Sequence, residues 1–124
     1  MTPRLQLGAV PAIMLFVDDP EAVGRWWATI TASELENDSG FWWFTLGGTG
    51  VEIGFHPADD EMNPLGRSTV PYFQITDLES ALSVVNDHGG RRHRGPLEID
   101  PGRRIAQVAD PFGNIVGLDE RRDA

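Results

Sequence analysis

An α+β fold of two βαβββ modules, with curved mixed sheets around a cleft and helices on the outer faces, is predicted by three features of the sequence. A strand followed at once by a capped amphipathic helix occurs twice, each unit is followed by three further strand-like runs, and one polar connector rich in proline separates the units. The two units align at a constant offset that carries Val17 onto Ile75, Asp19 onto Asp77, Glu21 onto Glu79 and Val23 onto Ala81. We therefore read residues 1–124 as a single domain of two modules, about 10–56 and 70–120, joined by a connector at 57–69.

The first strand is the apolar run from Ala12 to Val17, stopped by Asp18-Asp19-Pro20. Asp19 suits an N-cap and Pro20 the first helical position, where its missing N–H costs nothing. Ala22, Val23, Trp26, Trp27 and Ile30 then recur at helical spacing as one apolar face. Strands are predicted at Ser33 to Glu36, Phe41 to Leu46 and Val51 to His56, separated by Asn37-Asp38-Ser39-Gly40 and Gly47-Gly48-Thr49-Gly50, both with hairpin-turn chemistry. In the second unit Val70 to Ile75 is a strand and Thr76-Asp77 a cap. Leu78, Ala81, Leu82 and Val85 form a helical stripe ending at Gly89-Gly90. The chain returns through Pro96 to Ile99, Arg104 to Ala109 and Ile115 to Leu118, with Asp110-Pro111-Phe112-Gly113-Asn114 as the last turn.

Period-two alternation sorts the faces. Ile13, Leu15, Val17, Val51, Ile53 and Phe55 point toward the helices, and their neighbours point into the cleft. The candidate ligand-binding set is Met14, Phe16, Trp43, Glu52, His56, Tyr72, Gln74, Gln107 and Ile115, which gives aromatic and apolar walls with a few polar groups. Phe41, Trp43 and Thr45 are read as inward, although a one-residue slip would exchange Trp43 for Trp42 and Phe44. Glu52 is read as a buried carboxylate, which must be paired, hydrogen-bonded or protonated; opposite an indole and a phenol it suits a planar or cationic ligand. His56 with Glu52 also has the makings of an acid–base pair.

Composition narrows the function. With no Cys there are no disulfides, thiolate nucleophiles or zinc fingers. The formal net charge of −9 disfavours nucleic acid and anionic membranes. All ten Lys+Arg are Arg, so neither a Schiff-base lysine nor a phosphate loop of the GxxxxGK type is present. The longest apolar runs are far too short for a bilayer span and no basic-then-apolar leader is evident, so a cytoplasmic location is expected. Arg91, Arg92, Arg94, Arg103 and Arg104 form a basic patch that can serve an anion, a partner's acidic surface or solubility alone.

The duplicated pattern, with Val17-Asp18-Asp19 leading into a helix carrying Trp26-Trp27 and with Asp110-Pro111-Phe112-Gly113-Asn114-Ile115-Val116-Gly117-Leu118 near the end, resembles the glyoxalase, bleomycin-resistance and extradiol-dioxygenase superfamily, also called the vicinal oxygen chelate fold. The resemblance covers nearly the whole chain. It implies divalent-metal ligands on the first and fourth strands of each module; the matching positions here are Ala12, Val70 and Gly117, with only Glu52 keeping a ligand-type side chain. Three or four protein donors are needed for such an ion, so no metal site and no cofactor are expected. The leading reading is a metal-free binding protein of the bleomycin-resistance type that sequesters an aromatic or cationic small molecule, working as a homodimer. The alternatives are a glyoxalase-like metal-dependent lyase or isomerase with a partial or inter-chain site, and an interaction domain with a vestigial cleft.

Overall fold

The computed structural model describes residues 6, 9–61, 63–64 and 70–121. The element order is β1 (Ala12–Val17), α1 (Pro20–Thr31), β2 (Glu36–Asp38), β3 (Phe41–Thr45), β4 (Glu52–Pro57), then β5 (Tyr72–Ile75), α2 (Leu78–Asp87), β6 (Arg91–Asp100), β7 (Arg103–Ala109) and β8 (Ile115–Arg121). These strands build two open four-stranded sheets, ordered β1-β4-β3-β2 and β5-β8-β7-β6. In each, the first strand runs parallel to the fourth while the other pairs are antiparallel. The predicted mixed-sheet α+β architecture of two βαβββ modules is therefore the observed one. No helix among the described residues is long and apolar enough to cross a membrane.

Local chemistry accounts for the elements. Asp19 and Asp77 sit in extended backbone and cap α1 and α2 by accepting from the N–H groups of Ala22 and Ser80. Hydrogen bonds donated by the Ser80 N–H and the Ser80 hydroxyl hold the Asp77 carboxyl below the ordinary range. Gly24 stands mid-helix because α1 lies tight on its sheet: a Cβ there would come within 3.1 Å of Leu35 and 3.3 Å of Phe55. The helix-facing set packs as expected, with Leu15, Val17, Ile53 and Phe55 buried and Ile13 packed against them. In the second module Leu78 and Val85 of α2 cover Ala106, Val108, Val116 and Leu118. Fully burying side chains such as Phe55 and Leu78 contributes about 1.5–3 kcal/mol each.

Two elements differ from the sequence reading. The second strand is Glu36–Asp38, not Ser33 to Glu36, and the turn shrinks to Ser39-Gly40, both with positive φ, as a two-residue hairpin loop requires. The strand read at Pro96 to Ile99 is the far half of β6, which begins at Arg91. Every residue of β6 is exposed, so no alternation marked its first half.

The last turn is an organiser. The Asp110 carboxylate, fully buried, accepts from the Phe112 and Asn114 N–H groups, each at 2.9 Å, and from Asn114 Nδ2 at 2.8 Å. Trp27 of α1 donates its indole N–H to the same carboxylate at 3.0 Å, and Trp26 donates to the His88 carbonyl at 2.6 Å. The two tryptophans of the first helix thereby tie the modules together. On the other side of α2, Glu120 is buried and accepts from the Leu78 N–H at 2.7 Å and from Arg104 Nε at 2.9 Å. Arg104 also reaches Glu79 at 2.8 Å, so the start of α2 is fastened to its sheet by one ionic bracket.

Candidate functional site

Register settles which side chains share the open face of the first sheet. Met14 pairs with Gly54 and Phe16 with His56 across β1 and β4, while Trp43 pairs with Gly54 and Thr45 with Glu52 across β3 and β4. Trp43 is thus on the open face and Trp42 on the helix face, where the Arg25 guanidinium lies 5.3 Å from its ring. Phe41 stacks on His56 with ring centroids 4.2 Å apart, and Phe16 meets the same imidazole edge-on at 6.1 Å. This burial lowers the His56 pKa below its ordinary value, which favours the neutral ring near neutrality. Phe41 belongs with the site, although the sequence singled out Trp43 from that strand; the contact with His56 across two strands is a tertiary fact.

Gly54 is what lets Met14 lie flat, since a Cβ there would sit 2.7 Å from the methionine sulfur. Gly117 does the same under the Tyr72 ring. Because Asp19 and Asp77 are equivalent caps, the same spacing carries Met14 onto Tyr72, and the register then makes Gly54 the counterpart of Gly117. Glu52 is two residues away from that position, so Glu52 and Gly117 are not equivalent places in the two sheets. The reading of Glu52 as buried is corrected: Glu52 is exposed, because the face it sits on is uncovered in the chain.

The second sheet presents Tyr72 and Gln74 from β5, Ile105 and Gln107 from β7, and Asp119 from β8. Gln107 Nε2 donates to the Tyr72 hydroxyl oxygen at 2.8 Å, and both line a cavity of about 320 Å³ with Arg94, Pro96, Leu97 and Ile105. Gln74 lies elsewhere, in the wall of a cavity of about 360 Å³ between the modules, beside Leu15, Phe44, Phe73 and Val116. Ile115 is half-buried opposite Ala109. Asp119 is occupied: Arg103 holds it through Nε at 3.2 Å and Nη2 at 2.8 Å, which pulls its pKa below the ordinary carboxylate range. Of the basic patch read from the sequence, Arg103 and Arg104 are consumed by these pairs, leaving Arg91, Arg92 and Arg94 exposed on β6.

The predicted residues thus fall into two groups, one on each sheet, and no hydrogen bond or ring contact joins the groups among the described residues. Both faces are open: Met14 is 36% exposed, Phe41 41% and Tyr72 42%. The edges β1 and β5 are each hydrogen-bonded on one side only. Nowhere among the described residues do three His, Asp or Glu side chains converge as a metal site. The donor set within one chain, Glu52 and His56 on one face and an Arg-bound Asp119 on the other, does not fit the divalent ion that the fold implies.

The model of the glyoxalase-like domain family matches residues 12–118. The chain belongs to the glyoxalase-like domain family. Solved structures agree on the fold. TnmS3, described as an antibiotic binding protein from Streptomyces sp. CB03234, superposes with a TM-score of 0.72 at 18% identity, covering 95% of this chain and 99% of that one. A member of the glyoxalase/bleomycin resistance protein/dioxygenase superfamily from Sphaerobacter thermophilus DSM 20745 gives 0.74 at 18% identity, over 94% and 100%. The fosfomycin resistance protein FosX from Listeria monocytogenes, complexed with Mn(II) and sulfate, gives 0.70 at 16% identity, over 94% and 92%. No curated protein matches the sequence. Glyoxalase-like membership accounts for the two-module architecture, and the function must come from the faces themselves.

Proposed function

We propose that this chain is a binding protein that sequesters an aromatic or cationic small molecule, without altering it, in a cleft built from its open sheet faces. The observation that carries this reading is the aromatic open face on which Phe16 and Phe41 pack against His56, with Trp43 and Glu52 on the same face and no convergent set of metal donors among the described residues. Aromatic walls bind planar molecules by stacking, and Glu52 adds attraction for a cation. The antibiotic-binding neighbour of similar fold supports the same reading by analogy.

A second copy of the chain completes the site in this proposal. The one-sided edges of β1 and β5 and the exposed Met14, Phe41 and Tyr72 are surfaces that a homodimer covers, and the charges suit it. The first face carries Glu36, Asp38 and Glu52, whereas on the second Arg103 is neutralised by Asp119 and Arg94 stays exposed. Light scattering on a sizing column should give twice the 13.7 kDa chain mass. The binding test is titration of tryptophan emission with planar aromatic cations: saturation near one ligand per chain, weakened in W43F, is expected, and no response across the panel would remove the proposal.

A further inference from the structure

The basic run at the start of β6 has no role in the cap, bracket or organiser already described, and one of its members lines a cavity. Register shifts flank Arg94 on both sides of its pairing with Gln107. Next to it Gly95 has a φ of +84°, and a Cβ there would lie 2.8 Å from the Ile105 carbonyl oxygen, so β6 presses its backbone onto β7 at this point. Pro96, Leu97 and Ile105 supply the apolar wall of the cavity of about 320 Å³ beside this contact.

Two side chains of that wall offer donors. Tyr72 uses its oxygen to accept from Gln107, which leaves its own O–H without an acceptor among the described residues. Arg94 makes no ion pair or hydrogen bond among the described residues, whereas Arg25, Arg103, Arg104 and Arg121 each pair with a carboxylate. No Asp or Glu among the described residues lines the cavity, although the chain as a whole carries a net −9. An unpaired guanidinium and a phenol O–H over an apolar wall are complementary to an aromatic ring bearing an anion, because the planar Arg fork donates two parallel hydrogen bonds to a carboxylate or phosphate.

From this we infer that the second-module face selects aromatic ligands that carry a negatively charged substituent, with Arg94 as the specificity-determining residue. The inference rests on the reading of the open faces as a ligand site, and it refines the ligand class from aromatic to aromatic acid at this end of the cleft. The apolar wall takes the ring, and Arg94 with the Tyr72 hydroxyl takes the anion.

The test is calorimetric titration of the full chain with 2-naphthoate and with its neutral isostere 2-naphthamide. Tighter binding of the acid by about fivefold or more is expected, shrinking as salt is raised, since the site is open to solvent. R94Q should abolish the preference, and R94K should retain part of it. Arg94 is exposed on an edge strand, so these variants fold. Equal affinities in the unmodified chain, or a preference that survives R94Q, would overturn the charge selection and leave the binding proposal standing. Failure of both compounds to bind would overturn the aromatic-acid selection, whereas the titration with planar aromatic cations decides the binding proposal.

Discussion

Removing the indole donor of Trp27 should destabilise the chain far more than removing that of its neighbour. Trp27 Nε1 donates at 3.0 Å to a fully buried carboxylate, Asp110, which spends its other lone pairs on two backbone N–H groups and the Asn114 amide. In W27F that carboxylate keeps three donors and loses the only one from α1. A hydrogen bond to a charged group contributes about 1.5–3 kcal/mol, and the smaller ring leaves a gap in the core that adds about 1 kcal/mol. Trp26 makes a bond of 2.6 Å, but to a neutral carbonyl at a part-exposed position, so W26F should cost about 0.5–1.5 kcal/mol. Urea denaturation followed by far-ultraviolet circular dichroism measures both without relying on tryptophan emission. A W27F cost no larger than that of W26F would refute the role assigned to Asp110 as the tie between modules.

Three other outcomes follow from the geometry. E120A uncaps the Leu78 N–H and leaves Arg104 with Glu79 as its remaining partner, and should cost about 1.5–3 kcal/mol in the same assay, whereas an exposed pair such as Arg25–Glu21 should be worth under about 1 kcal/mol in E21A. For Asp119 the folded pKa lies below the unfolded one, so the stability that Arg103 confers is complete above about pH 4 and is lost as pH falls through the folded value; R103Q should flatten the acid limb of the stability curve, and an unchanged limb would contradict the pairing. His56 titrates below its ordinary 6.5 through burial, so the unfolded chain binds its proton more readily and stability falls as pH drops below about 6.5. F41A should move the His56 midpoint, followed by NMR, back toward that value; no movement would contradict the stacking.

The parts of the fold that local chemistry dictates were legible in the sequence. Asp19-Pro20 and Asp77 announced both helices because capping acts within one turn, and strict alternation placed Met14, Phe16 and Trp43 on the open face. What depends on the other strand was not legible. The two-residue turn at Ser39-Gly40 shifted β2, since only the pairing of Asp38 with Phe41 reveals it. The Arg91–Arg94 half of β6 is exposed and offers no period to read. Glu52 was taken as buried on the assumption that the sheets cover one another, and within one chain they leave it open. Arg94 could have been separated from its neighbours only by knowing that Arg103 and Arg104 already have partners.

Binding without chemistry and without a metal is tested most directly by one titration of chelator-treated protein with an aromatic ligand, followed by mass spectrometry of the recovered compound. Saturable binding unaffected by the chelator, with the ligand returned unchanged, is the predicted result. Binding that vanishes with the chelator and returns with Mn²⁺ or Zn²⁺, or a recovered ligand of altered mass, would contradict it.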